Sequence, residues 1–379
     1  MTKIHSPTSL DQVRQAISDH IVMGQTLDIR TNGSLIGLGP KMVTDAQLTL
    51  KKLNKIVEYE PEELVITLQP GVKLCDLKNL LSTKKQQLKF EPPDYGPLLG
   101  GDKDCGSIGG VIGANLSGPR RFMAGAARDY VLGIEGVNGF GQVFKAGGRV
   151  VKNVTGYDVS KLVTGSMGTL AALSEFTLKL SPSAETEITI AVYDLHDQNA
   201  ILLMSQIAGC PYEVSGLAHI PQMANAKATT YIRIEGVKSS INERKDAILK
   251  IIKPHPYLII NDQESQQIWQ NIRDVEPLGP PRDKALWRIS APATNLMQIA
   301  AEHKAQFYYY DWAGGMLWLS SDQIPTLKKG AFWLIRAPSD KAHTLPFINQ
   351  PDLVNLALMN RVKKAFDPKS ILNPMRMGF

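Results

Sequence analysis

Apolar residues recur at helical spacing near the start of the chain. Leu10, Val13, Ala16, Ile17 and Ile21 predict one buried stripe, with Ser9 or Thr8 as the cap of the helix. Residues 27–30 then read as a short strand, and Thr31-Asn32-Gly33-Ser34 as the loop that follows it. Short apolar runs at residues 48–50, 56–59 and 64–68 predict three more strands, and Pro70-Gly71 turns the chain into a helix over 72–81. Residues 130–137 are apolar and rich in β-formers. Asn138-Gly139-Phe140-Gly141 folds them back onto 142–145 as a hairpin. A short helix over 159–163 follows, then an alternating strand through Phe176, Leu178 and Leu180 that stops at Pro182.

From Ser183 to about His343 glycines thin out. Strands at 188–193, 230–234 and 316–319 alternate with helices at 241–252 and 263–272, and the tail 351–365 is helical. The pattern predicts an α+β chain in three stretches: a cofactor-type domain over 1–182, a second α+β domain over 183–345, and a C-terminal segment over 346–379 that returns to the first domain.

Composition narrows the function class. The 43% hydrophobic and 21% charged content of these 379 residues is that of an ordinary globular protein. The net charge of +6 is spread over 42 basic and 36 acidic residues without a basic run, which speaks against nucleic acid as a partner. Cys75, Cys105 and Cys210 are far apart in sequence and include no Cys-x-x-Cys pair. Neither an iron–sulfur cluster nor a disulfide framework is expected, and a reducing compartment is. No run approaches the ~18 apolar residues of a membrane span, and no signal-type apolar region follows the first residues. The expected location is the cytoplasm, peripheral at a membrane only through partners.

Glycine changes the picture most. Seventeen of the 31 glycines lie between Gly100 and Gly168, among apolar residues and a few polar ones. Backbone without Cβ can take positive φ and approach a ligand, and successive exposed N–H groups make a concave anion site. A large phosphate-bearing cofactor along the main chain is one reading; tight sheet turns and close strand packing are the other. Neither the P-loop signature nor a strand–Gly-x-Gly-x-x-Gly–helix unit occurs.

Five segments in order carry a resemblance: residues 29–34 (Ile-Arg-Thr-Asn-Gly-Ser), 106–110 (Gly-Ser-Ile-Gly-Gly), 125–133, 151–158 and 165–170. Together they resemble the flavin domain of the vanillyl-alcohol oxidase / p-cresol methylhydroxylase (PCMH-type) family. Glu91-Pro92-Pro93-Asp94, Ser117-Gly118-Pro119-Arg120-Arg121, Asp311-Trp312-Ala313-Gly314-Gly315 and Asn373-Pro374-Met375-Arg376 make the chain similar to the FAD-binding subunits of bacterial glycolate oxidases. The resemblance implies a two-part PCMH-type FAD domain with a smaller α+β cap. It implies non-covalent FAD, since no histidine follows in the first loop, and oxidation of a small 2-hydroxy acid, glycolate to glyoxylate, by hydride transfer. The partners it implies are a paralogous FAD-linked subunit and an iron–sulfur subunit.

It also implies roles for residues. Arg30, Thr31, Asn32, Gly33 and Ser34 face the FAD pyrophosphate. Gly106, Ser107, Gly109 and Gly110 form the second wall of that channel. Asn115, Ser117 and Gly118 reach the flavin edge or ribityl chain. Lys152 and Asn153 approach the flavin N1–C2=O edge, where a cation stabilises the reduced flavin. Gly156, Tyr157 and Asp158 shape the pocket wall, and Gly165, Ser166 and Gly168 pass the adenosine half.

Several positions depart from the family pattern. Thr31 stands where glycine is common, and Met375 stands for the glycine of the tail motif. Cys105, near a flavin-linked cysteine of some relatives, reads as a small buried thiol. Lys152 reads alternatively as a partner of Asp158, and Arg128-Asp129 as an ion pair ordering the Gly125 loop. No catalytic residue is assigned. A hydroxy-acid dehydrogenase needs a base, and His219, His303 and His343 are the candidates for a self-sufficient enzyme. An assembly subunit that has lost FAD is the third reading.

Overall fold

The computed structural model describes residues 3–40, 42–148, 157–223, 226–280, 282–341 and 344–377. The chain divides into two compact units. The first comprises residues 1–117, 126–183 and 350–379, and the second 118–125 and 184–349. The second boundary thus falls at 349/350 where 345/346 was expected, and a short excursion, 118–125, leaves the first unit altogether.

The first unit contains two main sheets. One is parallel, in the order Lys3–His5, Ala46–Thr49, Leu27–Arg30. The other is antiparallel, in the order Ile56–Glu60, Val65–Leu68, Ala171–Lys179, Val131–Asn138, Val143–Gly147. The helix Leu10–Met23 begins where Ser9 Oγ accepts from the Gln12 amide and ends at Gly24 in the left-handed region (φ 65°). Its Val13, Ala16 and Ile17 pack with Leu27, Ala46 and Leu48 of the parallel sheet, Leu50 just beyond it, Val137 and Ala172 of the antiparallel sheet, and Ile371 and Leu372 of the tail. Burying each valine, leucine or isoleucine side chain there contributes roughly 1.5–3 kcal/mol. One core therefore joins both sheets to the last residues of the chain.

The second unit is an eight-stranded antiparallel sheet with flanking helices. Its order is Tyr257–Asn261, Thr186–Tyr193, Thr229–Gly236, Val214–Ile220, Tyr308–Asp311, Met316–Ser320, Leu286–Ser290, Ala331–Arg336. Helix Asp262–Arg273 places Trp269 against Gly216, where a Cβ would lie 2.7 Å from the indole. Among the described residues no helix is long and apolar enough to cross a membrane, and no cluster of His, Cys, Asp and Glu could hold a metal ion.

Candidate cofactor site

The strand Leu27–Arg30 delivers the loop 31–35 to the edge of a cavity of about 120 Å³ in the first unit. One water needs only ~10–15 Å³ by this measure, so the cavity is built for a larger guest. Arg30, Thr31, Gly33 and Ser34 line one side, and Gly109 and Gly110 the next. Ser166 and Gly168 close it from the loop before Ala171–Lys179, whose Ala171, Leu173 and Phe176 supply an apolar wall.

The polar character of this loop is in its main chain. The amides of Thr31, Asn32, Gly33, Ser34 and Leu35 meet no acceptor among the described residues. Five consecutive unpaired N–H groups in a half-buried turn are what a pyrophosphate requires. Gly33 makes the turn (φ 85°). Thr31 does not need positive φ: its hydroxyl accepts from Ser107 Oγ at 2.6 Å, which resolves its departure from the glycine pattern. Gly109 must be glycine, because a Cβ would lie 2.6 Å from Pro70 Cβ and 2.8 Å from Thr31 Cγ2. At Gly113, which also lines the cavity, a Cβ would meet nothing within 4 Å, so that space is free for a guest. A dinucleotide fits this donor set.

The tail completes the site. Asn373, 3% exposed, accepts from the Ile29 amide at 2.5 Å and donates to Met167 O at 2.7 Å. Arg376 lines the cavity and donates to Leu35 O at 3.0 Å; burial pulls its proton affinity down, as does Arg30, while Asp28 opposes them. Asp28 also lines the cavity and pairs with Arg30. Met375 adopts φ 61°, which explains the glycine usual at this position, and its side chain is exposed. Asp28, Gly113 and Arg376 were not among the expected residues. The signal for Arg376 was the tail motif itself.

Other expected residues lie elsewhere. Asn32 turns to a second cavity, with Lys51, Asn54, Lys73 and Asp76, and its Oδ1 is buried without a partner. Ser107, 1% exposed, accepts from the Gly110 amide as a helix cap, and Gly106 is buried behind it. Asn115 accepts from the Arg128 amide and Ser117 from the Ala127 amide, so both hold the 126–128 turn. Gly118 belongs to the second unit, where its carbonyl accepts from Trp312 Nε1. Tyr157 is 98% exposed; Asp158 caps the helix Val159–Val163 and pairs with Lys161 at 3.2 Å. Gly165 (φ 88°) packs on Asn115. Lys152, Asn153, Gly156 and His343 lie outside the described residues. Cys105 is half-exposed rather than buried, and Arg128 approaches Asp129 at 3.9 Å while Asp129 accepts from the Ala126 amide.

Two candidate bases are occupied inside the second unit. His219 has no exposed surface. Its Nδ1 shares a 2.9 Å hydrogen bond with Thr230, and its Nε2 lies 3.5 Å from Asp197. Asp197 also accepts from Tyr308 and Tyr310; these bonds outweigh burial and hold its carboxyl below the usual range. His303, half-buried on Ser321, is pushed down by burial.

The FAD binding domain family matches residues 2–147, and the C-terminal domain of FAD linked oxidases matches residues 340–377. The chain thus carries a FAD binding domain and a C-terminal domain of the FAD linked oxidases. Its cofactor is FAD. It is 29% identical to the glycolate oxidase subunit GlcE of Escherichia coli (strain K12), over 98% of the chain and 97% of that protein. It is 34% identical to the glycolate oxidase subunit GlcD of Bacillus subtilis (strain 168), over 54% of the chain and 42% of GlcD. In structure it is similar to an alkyldihydroxyacetonephosphate synthase, with a TM-score of 0.69 at 14% identity over 98% of the chain and 75% of the synthase, which places the fold. The two matched domains cover opposite ends of the sequence, and both ends line the one cavity.

Proposed function

We propose that this chain is the FAD-binding subunit of a glycolate oxidase complex, oxidising glycolate to glyoxylate beside a paralogous flavin subunit and an iron–sulfur subunit. The unpaired run of amides from Thr31 to Leu35 carries the cofactor half of this reading. Similarity to GlcE along nearly the whole of both chains supports the substrate.

The flavin supplies the two-electron acceptor for the hydride leaving the hydroxyl carbon of the substrate. The residues of this chain bind and orient it. Thr31 to Leu35 donate main-chain N–H groups to the pyrophosphate. Gly109 permits the close approach of helix and loop, and Arg376 supplies a fixed positive charge at the cavity. FAD is held without a covalent bond. The buried state of His219 and the hydrogen-bonded state of His303 favour division of labour, in which the paralogous subunit provides the base, over a self-sufficient enzyme. A subunit that has lost FAD is disfavoured, because Thr31 keeps its loop without positive φ and Met375 takes the left-handed turn of the tail with its side chain exposed, outside the cavity lining.

Expression of the chain alone tests this. The expected product is yellow, with flavin absorbance that acid releases, and shows negligible glycolate turnover until the partner subunits are added. Full turnover without partners overturns the shared site, and colourless protein that takes up no added FAD overturns the cofactor assignment.

A further inference from the structure

Two of the three cysteines, remote in sequence, flank one isolated backbone pairing. Lys73 and Ser107 form an isolated antiparallel bridge. Flanking it, the Leu74 amide donates to Gly106 O at 2.9 Å and the Ile108 amide to Val72 O at 3.0 Å. The bridge is single: beyond it one segment enters the helix Leu74–Ser82, whose first turn carries Cys75, and the other reaches Cys105 next to the left-handed turn at Asp104, so each cysteine lies two residues from the bridge on the same side of it.

Side-chain geometry agrees. Cys75 Sγ lies 3.6 Å from the carbonyl oxygen of Asp104, the atom group bonded directly to Cys105. Asp104 makes a left-handed turn (φ 60°), and its amide donates to Asp94 Oδ2 at 2.7 Å, which fixes the backbone entering Cys105. Both thiols are free and half-exposed.

We propose that Cys75 and Cys105 are a redox pair, closed to an intramolecular disulfide by exchange with a low-molecular-weight disulfide. The Cys105 thiolate attacks one sulfur of the small disulfide and expels one small thiolate. The Cys75 thiolate then attacks Cys105 Sγ in the mixed disulfide and expels the second. The chain loses two electrons and two protons, and the small disulfide becomes two thiols. Burial and the carboxylate of Asp76 raise the Cys75 thiol above its ordinary value, so the closing step quickens as pH rises.

The bond would tie the start of helix Leu74–Ser82 to the segment carrying Gly106 and Ser107, and Ser107 donates to Thr31 at the cavity. The inference goes beyond the proposed function and needs neither glycolate nor flavin for its test.

Reduced full-length protein is incubated with oxidised glutathione at mildly alkaline pH, with circular dichroism confirming that it stays folded. The thiol titre is expected to fall from three to one. Mass mapping is expected to recover a peptide pair linked through Cys75 and Cys105, lighter than the two free peptides by two hydrogens. Cys210→Ser retains the link. Cys75→Ser and Cys105→Ser each stop at a glutathione adduct on the remaining cysteine of the pair. Glutathione adducts on folded wild-type protein without the linked peptide would overturn the proposal, as would equal loss of all three thiols.

Discussion

Asn373 is a single side chain that bonds three backbone groups on two segments. It bonds both polar groups of Ile29 and the carbonyl of Met167, and it is almost wholly buried. Replacing it with alanine leaves those groups unpaired, at roughly 1–3 kcal/mol each. Asn373→Ala is expected to lower the thermal midpoint of the first unit and the FAD retained on purification; an unchanged midpoint in calorimetry removes the clamp. Gly109→Ala drives a methyl into Pro70 and Thr31. Its expected result is weaker FAD binding by tenfold or more, read by fluorescence titration of the apoprotein. Gly33 and Gly109 both line the cavity, the first with a φ that favours glycine and the second with no room for a Cβ, so a glycine pattern in the sequence is a fair pointer to them. Arg376 stands in the tail motif, but its place in the cavity wall is not legible there, since tertiary return of a tail leaves no local trace. Asn115 and Ser117 were read as flavin contacts. Short polar side chains also satisfy turns, and at these positions turn bonding takes them.

Elements with one buried face were read best. The helix Leu10–Met23 and the strand Val131–Asn138 fall within two residues of their expected bounds, because the apolar period and the cap residues agree. The strands Tyr308–Asp311 and Ala331–Arg336 were missed: the first carries three tyrosines in succession, and neither alternates cleanly. The terminal helix Leu353–Phe366 was legible as a helix, yet its anchorage was not. Lys363 donates to Asp367, to Thr169 O and to Leu372 O, and Asp367 has no exposed surface. Burial lowers the Lys363 proton affinity while Asp367 restores part of it. Lys363→Met strands a buried carboxylate, and such breaks cost about 3–5 kcal/mol. Lys363→Met is expected to destabilise the first unit by that order in urea unfolding, with Asp367→Asn in the same chain recovering part of the loss.

Each unit has its own acid and ligand response. In the second, Arg120 grips Glu235 with bonds of 2.8 and 2.5 Å, and Arg233 lies 3.8 Å away. Burial opposes ionisation of Glu235, but the two guanidinium groups overcome it and hold the carboxyl far below its ordinary value. Its folded value is depressed, so its stabilisation is full above the unfolded value near pH 4.3 and is lost as pH falls below it. Glu187, raised by burial, has the opposite sign, favouring the fold at low pH and withdrawing that support above about pH 4.3. Glu235→Gln is expected to lower the stability of the second unit at pH 7 and to flatten its acid limb; an unaltered acid limb in circular dichroism contradicts this assignment. FAD at a hundredfold excess over its dissociation constant contributes about 2.7 kcal/mol to whatever binds it. Calorimetry is expected to show one transition moving upward with FAD, that of the unit holding residues 31–35, and movement of both would contradict a cofactor cavity confined to that unit.

The core that packs Leu27 and Leu48 against Ile371 and Leu372 sets an order of events in the cell. Chains emerge from the ribosome N-terminus first, at about 5–20 residues per second. The nucleotide-binding half draws its core from residues 13–53 and from residues 371–372, so it lacks part of that core until about 300 further residues have been made. Its excursion through residues 118–125 commits to the other unit before that unit's own strands exist. FAD is therefore expected to load only once residues 371–372 are made, and until then, for tens of seconds at that rate, the incomplete sheets stand exposed to aggregation. Circular permutation that brings residues 350–377 ahead of residue 3 would let this half mature while the remainder is still being translated.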